Sequence, residues 1–410
     1  MAPQKKVELL APAGNFEKLE VAIHYGADAV YVGGKNFSLR NFSGNFSEKE
    51  LDEAIKFAHD RNVKIFVACN IYPRNHEISF LKEHLGRLAK MAPDAIIVAD
   101  PGVFMLAKTE APSIDIHLST QANTTHIESV RFWQQIGAKR VNLARELSLK
   151  EIRTISECCN IEIEAFVHGA MCISYSGRCL LSSFMTMRDS NRGMCSHPCR
   201  WNYTVMEQSR KDEYFPIAED KRGTYVFNSK DLCMIDHIPE MLKSGIDSLK
   251  IEGRMKGIHY LASVVKVYRE ALDTFYSAPD AYHVKAWWKK ELRKVGFRDY
   301  CTGFYFGNPS DIVPFYDADQ SVNHQLFVGK IIRSINGTKA LVEVRNKLFK
   351  GESVELLTPK GPPREDVILD MVSADGKKPD FAQPGNLVTI DFKGKCGAND
   401  LLRKKGNPAV

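Results

Sequence analysis

The chain has 410 residues, which is too long for one ordinary compact domain and fits a large barrel plus a smaller module. Hydrophobic residues make up 44% and charged residues 26%, which excludes a disordered chain and predicts a sizeable core. The formal net charge of +6 suits an anionic partner, but many ordinary enzymes carry a similar excess.

The beginning of the chain and its apolar runs predict a cytoplasmic protein. The opening residues, MAPQKKVELLAPAG, contain no apolar signal core. No run approaches the roughly eighteen consecutive apolar residues that a transmembrane helix needs, so no contact with a membrane is expected. The ten cysteines are therefore expected to be reduced thiols or metal ligands rather than disulfides.

Short apolar runs alternate with amphipathic stretches in the first two thirds of the chain. We predict eight strands, at residues 7–14, 29–34, 63–70, 95–100, 114–120, 140–144, 161–169 and 248–253. In the stretch 47–60, Leu51, Ile55 and Ala58 share one face, as in a covering helix. Eight such units match a TIM-type (β/α)8 barrel, whose sites lie at the C-terminal ends of the strands. The predicted fold class is therefore α/β, with the barrel domain over residues 1–275.

A long insertion separates the seventh predicted strand from the eighth. Residues 169–247 far exceed what a single crossover needs, and long loops in compact domains are often functional. Six of the ten cysteines lie between residues 158 and 199, and Cys233 follows in the same insertion. This density predicts a cysteine-rich site at the barrel's C-terminal end.

Two further segments follow the barrel. Residues 276–325 are interpreted as a structured linker, in which Lys289, Lys290 and Arg293 accompany two tryptophans. Such basic and aromatic residues can bind phosphates and stack on unpaired bases. A helix whose tryptophans pack on the barrel and whose lysines are solvated would give the same pattern. From residue 326 to 410, short alternating runs separated by Asn-Gly, Pro-Pro and Asp-Gly turns predict a small antiparallel β-barrel.

The cysteines of the insertion differ in context from the others. Cys172, Cys179, Cys195 and Cys199 lie among glycines and serines, where turns can aim thiolates at one point and backbone amides can donate to sulfur. The spacing favours a metal site and leaves an iron-sulfur cluster and zinc both open. A buried structural thiol is the interpretation for those in apolar or isolated contexts, Cys69, Cys158, Cys159, Cys301 and Cys396.

A longer motif surrounds the first two of these cysteines. The run EAFVHGAMC from Glu164 to Cys172, continued by ISYSGRCLLS to Ser182, resembles the signature of the peptidase U32 family, historically called collagenase-like proteases. The resemblance extends over almost the whole chain, through LLAPAGN, STQAN, RGMCSHPCRW and SLKIEGR. Within the family, the chain is most similar to the TrhP subgroup, implicated in making 5-hydroxyuridine at the wobble position of tRNA. The resemblance therefore implies tRNA and an anionic small molecule, prephenate, as partners.

The resemblance also implies a cofactor. Family members are thought to hold a 4Fe-4S cluster on four cysteines, and Cys172, Cys179, Cys195 and Cys233 fit that pattern here. The motif CSHPC offers two thiols for one ligand role. Cys195 fits the family spacing better, which leaves Cys199 as a neighbouring or alternate thiol.

An enzyme that hydroxylates RNA needs a redox-capable centre, a pocket for its small co-substrate and a surface for phosphates. Polar residues at strand ends and in the insertion are the candidates for binding the substrate: Asn70, Gln121, Arg145, Arg188, Arg192 and Glu252. The planar fork of an arginine suits the carboxylates of prephenate. The candidate catalytic residues are His168, Glu164 and Arg254. Each candidate has an alternative role in capping loops, and Glu164 is equally a structural hydrogen-bond acceptor.

Three functions are consistent with these patterns. The main hypothesis is a tRNA-modifying enzyme that hydroxylates uridine with the help of a 4Fe-4S cluster. The family label implies a peptidase, but the H-E-x-x-H and G-x-S-x-G motifs are missing, and the available thiols are better explained as cluster ligands. The third is a cluster-bearing scaffold that passes a substrate to a paralogous partner subunit.

Overall fold

Eight parallel strands form a closed barrel in the computed structural model. The structure describes residues 6–39, 44–172, 174–198, 218–220, 223–225, 230–296, 299–307 and 325–406. In chain order, strands β1 to β11 are Glu8–Pro12, Ala29–Gly33, Lys64–Cys69, Ala95–Val98, Asp115–Leu118, Arg140–Asn142, Glu162–Ala170, Ala218–Asp220, Gly223–Tyr225, Asp231–Cys233 and Ser248–Ile251. β11 pairs in parallel with both β1 and β7, which closes the barrel. The predicted TIM-type fold and all eight predicted strands are confirmed.

Helices cover the outside of this barrel. Helices α1 to α10 are Phe16–His24, Glu48–His59, Ile78–Met91, Pro101–Glu110, Ile127–Gln135, Leu149–Cys158, Leu181–Thr186, Ile238–Lys243, Ile258–Ser277 and Ala286–Val295. The predicted covering helix is α2, which begins at a capping box formed by Ser47 and Glu50. Its Leu51, Ile55 and Ala58 are buried against the barrel. None of the described helices is both long and apolar enough to cross a bilayer.

The insertion between β7 and β11 extends the sheet beyond the barrel. β10 pairs antiparallel with the end of β7, which places Cys233 opposite His168. A later strand, β12 at Tyr300–Cys301, pairs in parallel with β10. The part of the insertion that carries α7 therefore leaves the barrel at the C-terminal end of β7, beside the ends of the other barrel strands.

The C-terminal part is a curled antiparallel sheet, so the predicted antiparallel architecture is confirmed. Strands β13 to β21 are Gln325–Ser334, Lys339–Val344, Leu348–Phe349, Ser353–Leu357, Arg364–Val367, Asp370–Ser373, Phe381–Ala382, Leu387–Asp391 and Leu401–Lys405. Seven of them pair in the order β17-β16-β21-β13-β14-β20-β18, and β15 pairs with β19. Their inward side chains form a core distinct from that of the barrel.

Ion pairs join the C-terminal sheet to the barrel helices. The Arg403 guanidinium, 0% exposed, donates to both carboxylate oxygens of Glu291 in α10, at 2.5 and 2.6 Å. It also donates to Glu355 of β16 at 2.8 Å. A buried charge needs such partners, because its desolvation is otherwise too costly. Leu357 and Leu401 complete the contact by packing into the barrel's core.

Candidate active site at the barrel mouth

A cavity of about 200 Å³ opens at the C-terminal ends of the barrel strands, where barrels of this type carry their sites. We call this end the barrel mouth. Strand ends supply Tyr31, Asn70 and Asn142 to the cavity wall, and Arg145 and Arg254 lie in the loops that follow β6 and β11. The wall thus combines aromatic, amide and cationic groups.

Two arginines contribute positive charge to the cavity wall. Arg254 is only 2% exposed, and its Nη2 donates to Ser38 Oγ at 2.6 Å. Gly33 makes room for it, because a Cβ at that position would lie 2.4 Å from Arg254 Nη1. The guanidinium of Arg145 lies over the ring of Phe166, 4.1 Å from its centroid. Contacts with the protein therefore fix the orientation of both guanidinium groups in the absence of a ligand.

Buried polar atoms without a hydrogen-bond partner among the described residues occur in this cavity wall. Nε of Arg145, a donor, and Oδ1 of Asn142, an acceptor, are a complementary pair of them. Buried polar groups are rarely left unpaired, because each costs free energy. The pair therefore marks where a polar ligand, with an acceptor for Arg145, would be satisfied.

The other predicted substrate-binding residues of the strand ends also line this cavity. Asn70 Nδ2 donates to Gln121 Oε1 at 3.2 Å, which links the ends of β3 and β5. The Tyr31 hydroxyl lies 3.3 Å from Glu252 Oε2, to which it donates. The structure thus brings Asn70, Gln121, Arg145, Glu252 and Arg254 together.

The two arginines predicted in the insertion lie elsewhere. Arg192 donates from both terminal nitrogens to Glu77, at 2.8 and 2.6 Å, and lines a shallow outer pocket with Tyr72 and Arg178. This hydrogen-bonded pairing raises the pKa of Arg192 and lowers that of Glu77. Arg188 is exposed in the loop after α7 and is not part of the cavity wall.

Two of the predicted catalytic residues are buried behind the cavity wall. Glu164 is 2% exposed and accepts from Lys250 Nζ at 2.7 Å and from Arg140 Nη1 at 3.4 Å. His168 is 1% exposed, with Nδ1 3.3 Å from the Tyr268 hydroxyl, and burial lowers its pKa to about 3. Its imidazole is therefore neutral at pH 7. A catalytic role for either residue stays a prediction, because neither side chain is part of the cavity wall.

Three cysteine thiols share the cavity with the arginines. Cys172, Cys179 and Cys195 all line it, on segments that follow β7 and flank α7. The backbone N–H of Leu181 donates to Cys179 Sγ, and that of His197 donates to Cys195 Sγ, each at 3.4 Å. Backbone donors to sulfur help set the potential of iron-sulfur clusters, so this donor set suits such a cofactor.

The fourth predicted ligand lies in a different cavity. Cys233, on β10, lines a space of about 220 Å³ together with Lys289 and Arg293. Its Sγ is 3.7 Å from the Tyr268 hydroxyl, and burial raises its pKa to about 11. Within the described ranges, no group of three His, Cys, Asp or Glu side chains is close enough to hold a metal ion. Cys199, the alternate thiol, lies outside the described residues.

The predicted RNA-binding residues lie on the surface of α10. Lys289, Lys290 and Arg293 are exposed, although Lys289 pairs with Asp236 at 3.0 Å. Trp288 is 0% exposed and packs into the barrel's core, so it is not available for stacking on bases. Of the two interpretations of this helix, packing on the barrel is therefore right for Trp288.

Sequence reasoning missed several polar residues of the cavity wall, among them Lys250 and Asn142. Lys250 of β11 is 5% exposed, and its Nζ lies 4.5 Å from the ring centroid of Tyr31. Asn142 of β6 is 2% exposed. The available signal was a polar residue inside an otherwise apolar barrel strand, where the side chain has to face either the barrel interior or a helix.

Comparison with known proteins gives matches over nearly the whole chain. The family described as peptidase family U32 matches residues 14–313, and the peptidase family U32 C-terminal domain matches residues 323–403. The chain is 40% identical to tRNA hydroxylation protein P1 of Bacillus subtilis, covering 98% of this chain and 95% of that protein. It is 38% identical to tRNA hydroxylation protein P of Escherichia coli, covering 87% of each. A collagenase of Porphyromonas gingivalis is 31% identical, covering 96% of this chain and 97% of that protein.

Proposed function

Because this chain belongs to the peptidase U32 family, including its C-terminal domain, we propose that it takes part in the hydroxylation of wobble uridine in tRNA to 5-hydroxyuridine. Prephenate is the proposed anionic co-substrate and a 4Fe-4S cluster the proposed cofactor. The observation that supports this best is one cavity at the barrel mouth that holds three thiols beside two guanidinium groups. The near full-length similarity to tRNA hydroxylation proteins supports the same reaction.

The cluster ligands follow from the thiols of the cavity. Cys172, Cys179, Cys195 and Cys233 would be the cluster ligands, with Cys199 as the alternate thiol. When bound, such a cluster supplies a centre for electron transfer or for binding an anionic ligand. The chain's own contribution is to fix the thiols and to place the guanidinium forks beside them.

The anionic co-substrate would bind through the arginines. A carboxylate beside Arg145 would accept from its unpartnered Nε, while a hydroxyl or N–H of the ligand would satisfy Asn142 Oδ1. Arg254 offers a second fork in the same cavity. Prephenate carries two carboxylates, which matches two arginines.

We expect Arg145→Ala to weaken prephenate binding at least tenfold, because hydrogen bonds to charged groups contribute about 1.5–3 kcal/mol each. Arg145→Lys should give an intermediate loss, since an ammonium cannot replace the planar fork. Isothermal titration calorimetry with the anaerobically purified protein measures the affinity. The matched control is Arg153→Ala, which removes an exposed arginine of α6. Unchanged affinity in Arg145→Ala would remove this residue from the co-substrate site.

The affinity for tRNA is expected to fall steeply with salt, because binding to phosphates releases counterions. Replacing Lys289, Lys290 and Arg293 together by alanine should weaken binding and lower the slope of log K against log salt by about 2 to 3. Fluorescence anisotropy with labelled tRNA at several salt concentrations measures both quantities.

The control for this triple variant removes the same charge from the opposite end of the barrel. Exposed lysines in the last turns of α2, α3 and α4 serve this purpose, namely Lys56, Lys90 and Lys108. If this control weakens tRNA binding as much as the α10 variant does, α10 is not a specific contact surface.

A peptidase is the second candidate, because the similarity to the collagenase also spans nearly the whole chain. Peptide cleavage would require one of the cavity thiols to act as a nucleophile instead of a cluster ligand. The two functions therefore make opposite predictions for cluster-loaded protein. If the thiols are bound to iron, it should cleave no peptides; a peptidase would cleave them.

A further inference from the structure

Two exposed phenylalanines face each other on the C-terminal domain. Phe349 of β15 and Phe381 of β19 are cross-strand partners, with ring centroids 6.1 Å apart and ring planes inclined by 50°. They are 41% and 44% exposed. Exposed apolar patches rimmed by polar residues are typical of binding sites.

Lysines surround this ring pair. Lys347 Nζ lies 4.9 Å from the centroid of Phe349 and 4.6 Å from that of Phe381, and it forms no ion pair with a described carboxylate. Lys404 Nζ lies 5.8 Å from the centroid of Phe349 and pairs with Glu352 at 2.7 Å, so Lys347 supplies the uncompensated charge. We call Phe349, Phe381 and Lys347 the aromatic platform.

We propose that the aromatic platform binds unpaired nucleotides of the tRNA substrate, an inference that rests on the proposed function. Single-stranded RNA presents flat bases and phosphates in alternation, and proteins bind it by stacking bases on aromatic rings beside cationic side chains. The apolar face of a protein partner would cover the rings but leave the ammonium of Lys347 without a counter-charge. The charge beside the rings therefore favours RNA as the occupant.

The aromatic platform is connected by a short stretch of chain to a contact beside the barrel mouth. Arg345, two residues before Lys347, pairs with Glu17 at 2.5 Å, and Glu17 lies in the first turn of α1. The next residue, Lys18, donates from Nζ to the backbone oxygen of Arg254 at 3.0 Å, and Arg254 lines the active-site cavity. Phe349 is four residues after Arg345, so the Cα atoms of these two residues are at most about 15 Å apart. A loop of several nucleotides could thus contact the platform while one base enters the cavity.

The test is the affinity of the full-length protein for substrate tRNA. We expect the double variant Phe349→Ala/Phe381→Ala to raise Kd at least tenfold, because each stacked base is lost with its ring. Lys347→Ala should lower the slope of log K against log salt by about 1. Phe132→Ala is the control, since it removes a phenylalanine that is 51% exposed at the far end of α5 and should leave Kd unchanged.

Two further measurements distinguish a loss of base stacking from a loss of folding in the double variant. Phe349→Leu/Phe381→Leu keeps the apolar volume and should still weaken binding, and photo-crosslinking of wild-type protein to tRNA should label the peptides around Phe349 and Phe381. Wild-type affinity in the double variants together with absence of these crosslinks would overturn the inference. In that case the proposed function stands if the protein still restores 5-hydroxyuridine in cells, and it fails if cells without the protein have normal tRNA.

Discussion

Replacing Cys172 or Cys179 by alanine is expected to abolish cluster binding by protein purified without oxygen. Both thiols line the barrel-mouth cavity, where a cluster that loses one of its protein ligands is no longer held. The wild-type protein should be brown and contain about four iron and four sulfide per chain, whereas each variant should be colourless. Visible absorption with iron and sulfide analysis measures this difference.

Cys158→Ala is the matched control, because this thiol, which the sequence predicts to be buried, is exposed at the end of α6 and does not line the cavity. It should retain full iron content. Stoichiometric zinc in place of iron and sulfide in the anaerobic wild-type protein would contradict the cluster assignment.

The same assay identifies the remaining ligands. Cys195 lines the cavity and Cys233 lies in the neighbouring one, so only the former is placed for ligation in this arrangement. Loss of iron in Cys233→Ala but not in Cys199→Ala would mean that β10 shifts when the cluster binds. Loss in Cys199→Ala alone would assign the fourth position to that thiol.

The barrel was predictable because its strands are buried on both faces. Such strands are continuous apolar runs, and all eight occur where the sequence predicts them. The boundaries shifted by a few residues, as for the first strand, which begins at Glu8 and ends at Pro12. Hydrophobic pattern and length are sufficient to specify this part of the fold.

Pairings that depend on distant segments were not predictable. β10 and β12 are strands of three and two residues that are stabilised by the end of β7, and their own sequences carry no strand pattern of useful length. Arg403 belongs to a basic run of three residues, Arg403 to Lys405, a pattern typical of an exposed segment, but its side chain is fully buried in the structure. Its partner Glu291 lies on a helix 112 residues away in sequence, and only the folded chain shows that proximity.

The candidate site was predictable in part, for a related reason. Residues at strand ends meet at one end of a parallel barrel whatever their spacing, so Asn70, Gln121, Arg145, Glu252 and Arg254 line one cavity, and their role in binding stays a prediction. Residues of the insertion follow no such rule. The positions of Arg192, paired with Glu77, and of Cys233 are set by loop conformation, which the sequence pattern does not specify.

The most direct test of the central claim is the nucleoside composition of tRNA from a strain that lacks this protein and any paralogue. We expect 5-hydroxyuridine and the nucleosides derived from it to fall at least tenfold, because the proposed hydroxylating protein is then missing. A plasmid carrying the wild-type protein should restore them fully, and one carrying Cys172→Ala should not. Liquid chromatography with mass spectrometry of digested tRNA quantifies these nucleosides.

The control plasmid in this measurement carries Cys158→Ala, which should restore the nucleosides as well as the wild type does. Tenfold or greater loss of 5-hydroxyuridine with Cys172→Ala, at equal protein level, is the result that the proposed function predicts. Normal wobble uridine modification in the deletion strain, together with peptide cleavage by the purified cluster-loaded protein, would contradict it and would favour the peptidase.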